Sequence, residues 1–351
     1  MSTVDEVDMV DNDRSKGYQA MKETFQYASS IDGLSPLNAD AVFKPDGIPK
    51  PLVAVMHGFH CTRGHVAADC DALAARGFFC VAPDMRGHAD SAGKHDCGGL
   101  QICDIVDAVA EAARRWPDEI NCQNVNAVGY SGGGGNVMSL FTKFPELLNT
   151  GAAFFGISDY ALWHRTSGRP DCNLTMEKAL GGTPDEVPER YAARGSLAAV
   201  QNNPRTRLHV FWDAEETACP PILNTQFIEA AQSLRHTNVI AHVSKPGDPA
   251  RWRHGYRSGI PELGAADDIF SPDILRLRPP LVLPADGELM VCGYVVTTKF
   301  AVWLGDGLAG TARIHYNLSG GMVSVRVLEQ SKAAKLRMLH GPTMLGWFAR
   351  G

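Results

Sequence analysis

"NVNAVGYSGGGGN", residues 124–136, is the stretch whose reading decides the fold. An apolar run ends in Gly129-Tyr130-Ser131, and four glycines follow, Gly132 to Gly135. The stretch is either a slack loop or a turn that holds a serine nucleophile. Gly129-x-Ser131-x-Gly133 matches G-x-S-x-G, which needs a strand ending just before the serine and a helix starting just after it. Both flanks have that character. A serine on such a turn takes strained dihedrals so that its hydroxyl projects from the sheet edge. Side chains two positions to either side would collide there, and glycine avoids the collision. Gly134 and Gly135 then let the helix approach a neighbouring strand. A phosphate-cradling loop fails on register: no lysine follows in G-x-x-x-x-G-K-[ST] spacing, and Val137 stands where G-x-G-x-x-G needs its last glycine.

Outward from this turn, strand-like and helix-like segments alternate. "ETFQYASS" and "NADAVFKPDG" read as two strands joined by a polar turn, and "PLVAVMHGF" (51–59) as a strand covered on both faces. "HVAADCDALAARG" has helical spacing and stops at Gly77, and "FFCVAPDMRG" is the next buried strand. In "GLQICDIVDAVAEAARRWP", Ile102, Ile105, Val106 and Val109 share one helix face, with Pro117 beyond. A helix over Gly132–Phe144 precedes the strand "TGAAFFGISDY". "RLHVFW" (207–212) and "NVIAHVSK" (238–245) are strands on either side of the helix "ILNTQFIEAAQSL". This alternation predicts an α/β fold, a mostly parallel sheet with helices on both faces. Residues 160–205 break the rhythm and read as a cap-like excursion over the sheet.

Composition shifts after residue 266. Ala312, Ile314, Tyr316 and Leu318, then Val323, Val325 and Val327, alternate with polar residues between glycine-rich turns. The expected organisation is a mobile segment over 1–20, the α/β domain over 21–266 and a small all-β, β-sandwich-like module over 267–351. The length of 351 residues accommodates both domains.

A net charge of -6, with no dominant basic patch, argues against nucleic acid as a partner. No segment approaches the roughly 20 apolar residues of a membrane span, and the acidic N-terminus has no signal-peptide core. The expectation is no membrane partner and a cytoplasmic location, or a place in a larger particle. The nine cysteines form no CxxC pair, and several sit in apolar contexts where a thiol acts as a small hydrophobe.

A serine hydroxyl needs a base, and the base an orienting acid. His254, in "ARWRHGYRSG" after the last strand candidate, is the best-placed histidine; His209 and His242 lie within strands. In the loop Asp213 to Pro221, register favours Glu216 as the acid, with Asp213 as the alternative and Asp159 as a less usual one. Oxyanion donors are expected from the backbone N–H of Gly132 and of Phe59, with His60 as the alternative. "HGFHCTRGH" (57–65) lacks the HExxH arrangement, so neither a metal nor another cofactor is expected. Trp163, Trp212 and Trp252 flank the site segments, as an aromatic wall or as core.

Taken together, "HGF" (57–59), "PDMRGHADS" (83–91), "GYSGGG" (129–134), the loop 213–221 and His254 resemble the α/β-hydrolase superfamily over residues 22–265. "PDMRGHADS" is similar to the superfamily's Asp-x-Arg-Gly-x-Gly-x-Ser turn, with Ala89 in place of a glycine. The short N-terminal strands and "GTPDEVPERY" look more like the prolyl-oligopeptidase and dienelactone-hydrolase branches. The resemblance implies a serine esterase acting through an acyl-enzyme, such as a deacetylase on a polymer-linked ester. The alternatives are a peptidase of prolyl-oligopeptidase type and a hydrolase-fold component docked to a polymer or larger assembly through residues 267–351.

Overall fold

A computed structural model describes residues 20–279, 281–331, 335–340 and 344–345. The segment expected to be mobile lies, apart from Ala20, outside the described residues. β1 (Met21–Tyr27) and β2 (Leu37–Phe43) form an antiparallel edge. β3 (Lys50–Met56), β4 (Phe79–Pro83), β5 (Ile120–Tyr130), β6 (Thr150–Phe154), β7 (Arg207–Asp213) and β8 (Val239–Ser244) continue the sheet. Its order is β1-β2-β4-β3-β5-β6-β7-β8, and every neighbour pair from β4 to β8 is parallel.

Helices α1 (Ala67–Ala75), α2 (Gln101–Arg115) and α3 (Gly132–Lys143) follow β3, β4 and β5. The excursion holds α4 (Tyr160–Thr166), α5 (Pro170–Leu180) and α6 (Pro188–Ala192); α7 (Ile222–Ser233) and α8 (Pro261–Leu275) complete the layers. Leu52 to Met56 are fully buried because helices cover both sheet faces. α2 buries Ile102, Ile105, Val106 and Val109 on its inner face, as their spacing predicts. Gly77, at φ 89°, ends the α1 turn in the left-handed conformation that glycine adopts without a Cβ penalty. Ala89 takes φ 44°, so the position where the superfamily turn has glycine keeps its left-handed backbone here with a Cβ.

The C-terminal strands are β9 (Asp286–Cys292), β10 (Tyr294–Val296), β11 (Phe300–Leu304), β12 (Thr311–Asn317), β13 (Ser324–Gln330) and β14 (Leu336–His340). They differ from the expectation in two ways. The expected boundary at 266/267 falls inside α8, which runs on to Leu275, so the first strand begins only at Asp286. Among the described residues the strands also form one six-stranded antiparallel sheet, β13-β12-β9-β10-β11-β14, and not two facing ones. Gly293, at φ 75°, bends the chain between β9 and β10 so that both stay in the same ladder. Ala312, Ile314 and Tyr316 of β12 point inward, as their alternation predicts, in a separate core with Leu289, Val291, Phe300 and Val302.

This module is fastened to the α/β layers by buried polar contacts. Asn202 exchanges two hydrogen bonds with the Met290 backbone, at 2.8 and 2.9 Å, and Tyr294 Oη donates to Gly99 O at 2.9 Å. Lys143, buried at the end of α3, donates from Nζ to Ala193 O and Cys292 O and lies 4.6 Å from the centre of the Tyr294 ring. Burial lowers its ammonium pKa from 10.5 to about 8. The charged form is therefore disfavoured in the folded state. Between pH 8 and 10.5 the unfolded chain binds the proton that the folded one has released, so this group makes stability rise with pH. The neutral amine still has two protons for the two carbonyls. Urea unfolding of the wild type and Lys143→Met should diverge in favour of the wild type by about 2–3 kcal/mol between pH 7.5 and 10. A difference that stays constant with pH would refute the shift.

Among the described residues, no helix is long and apolar enough to cross a membrane.

Candidate active site

Ser131 sits where β5 meets α3, at φ 57° and ψ −118°, as the helix N-cap. Its N–H donates to Phe154 O on β6 at 2.8 Å, and its carbonyl accepts from Gly135 N at 3.0 Å. The left-handed backbone turns the side chain out of the sheet. Each surrounding glycine faces another backbone. A Cβ on Gly129 would lie 2.2 Å from Gly133 O, and one on Gly133 2.2 Å from Met56 O. On Gly134 it would lie 2.5 Å from Phe154 O, and on Gly135 2.9 Å from Ile157 O. The glycine run is thus a packing requirement: α3 starts against β3 and β6 with no room for side chains.

The structure brings Glu216 and His254 together, with Nδ1 of the imidazole 3.2 Å from Oε1 of the carboxylate. The same oxygen accepts the N–H groups of Ala218 at 2.6 Å and Cys219 at 3.2 Å. Burial pushes the Glu216 carboxyl up, but its bond to His254, the charge of that ring and the two N–H donors outweigh burial and hold it below its usual range. Asp213, the alternative acid, is engaged elsewhere. Its oxygens take Arg251 bidentately at 2.6 and 2.8 Å, Ser244 Oγ at 2.8 Å and Glu215 N at 2.9 Å. Arg251 holds the Asp213 carboxyl down to about 2. Asp213 therefore anchors the loop that carries His254. Asp159 caps α4 by accepting Leu162 N–H at 3.0 Å. His209 and His242, read from sequence as strand residues, face each other at 3.0 Å between β7 and β8.

The turn expected to supply an oxyanion donor follows β3. A Cβ placed on Gly132 would touch Phe59 N at 2.9 Å, so the backbones of the two expected donor residues lie against each other. Three histidines set this turn. His57 Nδ1 is 2.8 Å from Gly58 O, while its Nε2 accepts Met85 N–H at 3.2 Å. The ring is therefore the Nδ1–H tautomer. Burial lowers its pKa to about 3, so it stays neutral at working pH. His88 and His95 each place Nε2 2.9 Å from Phe59 O. A trans peptide points its C=O and N–H in opposite directions. By holding Gly58 O, His57 aims the Phe59 N–H the other way.

The structure also shows neighbours with no sequence signal. Ser131 Oγ lies 3.4 Å from the buried Cys219 Sγ, and among the described residues this thiol, not His254, is its hydrogen-bond partner. Catalytic hydrogen bonds are often unformed until substrate is present. Phe155, at φ 53°, stacks on the His254 ring with centroids 5.0 Å apart. Of the three tryptophans, Trp163 adjoins the site: its ring meets Phe59 edge-on at 5.0 Å and its indole N–H donates to Ala218 O at 2.7 Å. Trp212 and Trp252 are core residues, the latter edge-on to Phe211.

Among the described residues, His60, Asp171 and Cys172 bring three donor atoms together. Arg169 already chelates Asp171 at 2.9 and 2.6 Å, and burial pushes the Cys172 thiol up to about 12. A cation there would face a guanidinium and a protonated thiol, so this donor set does not fit a metal.

Residues 47–166 match a family model described as serine aminopeptidase, S33. The uncharacterized peptidase YtmA of Bacillus subtilis is 31% identical over 125 residues, which is 35% of this chain and 46% of that protein. Among solved structures, an acylaminoacyl peptidase of Pyrococcus horikoshii superposes with a TM-score of 0.60 at 18% identity, over 77% of this chain and 44% of that one. An esterase of Pyrococcus furiosus superposes at 0.56 and 15% identity, over 74% of this chain and 93% of that one. The chain thus spans less than half the length of either peptidase. At these identities the structural likeness is one of fold.

Proposed function

We propose that this chain, a serine hydrolase of the α/β-hydrolase fold carrying a C-terminal β module, cleaves carboxylic esters through an acyl-enzyme. The observation that carries this reading is the left-handed Ser131 turn on the same rim of the sheet as the Glu216–His254 pair. In this mechanism Ser131 Oγ turns from Cys219 toward His254, gives up its proton to Nε2 and attacks the ester carbonyl. Glu216 holds the Nδ1–H tautomer and stabilises the imidazolium without taking the proton. The N–H groups of Gly132 and Phe59 bind the oxyanion. The imidazolium then protonates the departing alkoxide, and water, activated by the same ring, releases the acid.

The peptidase reading has its own support in the descriptions of the serine aminopeptidase model and the acylaminoacyl peptidases. The ester reading draws on the Pyrococcus furiosus esterase, nearly all of which this chain covers. A panel of p-nitrophenyl acyl esters from acetyl to long chain, acetylated sugars and dipeptidyl amides separates them. The expected result is kcat/KM at least about 100-fold higher on a short ester than on any amide, a difference of about 2.7 kcal/mol. Preferential turnover of dipeptidyl amides would replace the ester reading with the peptidase one. A polymer-linked acetyl ester is the substrate form this proposal favours, with the β module presenting the polymer.

A further inference from the structure

We infer that Tyr256 is a positioning residue for the reaction, whose hydroxyl ties the loop of the catalytic histidine to the turn of the oxyanion donor. This builds on the serine-hydrolase reading and adds a residue that sequence reasoning passed over. Tyr256 lies two positions beyond His254, in a stretch from Lys245 to Ile260 that contains no helix or strand. Its Oη accepts the N–H of Gly58 at 2.5 Å, across 198 residues of sequence. A Cβ on Gly58 would fall 2.4 Å from that oxygen and 3.6 Å from Ser131 Cβ. The hydroxyl thus fills the space that a side chain at position 58 would take, beside the nucleophile. The ring is wedged between Tyr130, edge-on at 5.6 Å, and His65 at 5.7 Å.

The consequence concerns the two peptide planes that flank Gly58. Tyr256 holds the Gly58 N–H and His57 holds the Gly58 carbonyl, so both polar groups of this glycine are pinned. Glycine is the residue least able to hold its own dihedrals. With both groups pinned, the next N–H, that of Phe59, has one direction. Burial raises the phenol pKa well above its usual value, so the hydroxyl stays neutral and can accept from Gly58 throughout the working pH range. The same loop is anchored independently on each side of the tyrosine. Arg251 and Trp252 bind Asp213 and Ser244, and Arg257 pairs with Asp69 at 3.2 Å and Asp267 at 3.0 Å. Removing the hydroxyl therefore frees the His57–Gly58 plane, leaves the Gly58 carbonyl and with it the Phe59 N–H held by His57 alone, and leaves the loop attached.

Tyr256→Phe tests this, because phenylalanine keeps the ring between Tyr130 and His65. With p-nitrophenyl acetate, kcat should fall about 10- to 100-fold while KM stays within about twofold, as expected when a transition-state donor is misaimed and ground-state binding is not. The rate of fluorophosphonate labelling at Ser131 should fall in parallel, with Tm within about 2 °C of the wild type. Unchanged kcat, or a loss confined to KM, overturns the assignment. A Tm fall beyond about 5 °C also overturns it, because the hydroxyl would then be holding the fold. The wild type is the control for the underlying reading: if fluorophosphonate does not label it at Ser131, the serine-hydrolase mechanism fails, whatever Tyr256→Phe does.

Discussion

Ser131→Ala is expected to lower p-nitrophenyl acetate hydrolysis by about 10^4-fold or more and to abolish fluorophosphonate labelling. Alanine keeps the Cβ that the φ 57° turn already accommodates, so the elbow keeps its shape. Only the oxygen is lost, together with its 3.4 Å contact to Cys219. The stability change should stay within about 1 kcal/mol, which thermal unfolding can check. The remaining turnover would come from Gly132 and Phe59 polarising a bound carbonyl. Cys219 cannot substitute for the serine. Burial pushes its thiol up to about 12, and the thiolate, not the thiol, is the nucleophile. Cys219→Ala should therefore keep its labelling, and undiminished hydrolysis by Ser131→Ala would refute the nucleophile assignment.

The second large effect separates two carboxylates only three positions apart. Glu216→Gln should lower kcat by about 10^3- to 10^4-fold with little change in KM. A carboxylate only accepts hydrogen bonds, so it fixes the proton on Nδ1 of His254 and leaves Nε2 free to take the serine proton. An amide can donate to Nδ1 instead, which puts the ring proton on Nε2, where it blocks the attack. Asp213→Asn should reduce kcat by less than about 10-fold and lower Tm instead, because it weakens the bidentate Arg251 contact that anchors the histidine loop. The reverse pattern, with Asp213→Asn inactive and Glu216→Gln active, would transfer the role to Asp213.

These predictions depend unequally on sequence. Ser131 and its glycines are legible because the requirement is local. A left-handed serine between a strand and a helix needs small neighbours at fixed offsets, and residues 129–135 supply them. The parallel sheet is legible for a similar reason: apolar runs such as Leu52–Met56 and the α2 face record burial directly. His254 and Glu216 could be chosen by their order after the strands. The choice of Glu216 over Asp213 remained open in the sequence, since both follow β7 in one short loop. What favours Glu216 is Arg251, which arrives from 38 positions away and occupies Asp213.

The extent of the β module was hidden as well. A composition shift at 266 marks a change of surroundings, but α8 continues through it because a helix ends where its packing and backbone caps end. Sequence alone therefore determined the elements and the left-handed Ser131 turn, both set by backbone sterics and burial periodicity within a few residues. Only the tertiary structure decided the partnerships: Asp213 with Arg251, Ser131 with Cys219, Tyr256 with Gly58, and Lys143 beneath the β module. Each is a through-space contact between segments tens to hundreds of residues apart, and no local spacing rule records which distant donor reaches a given acceptor first.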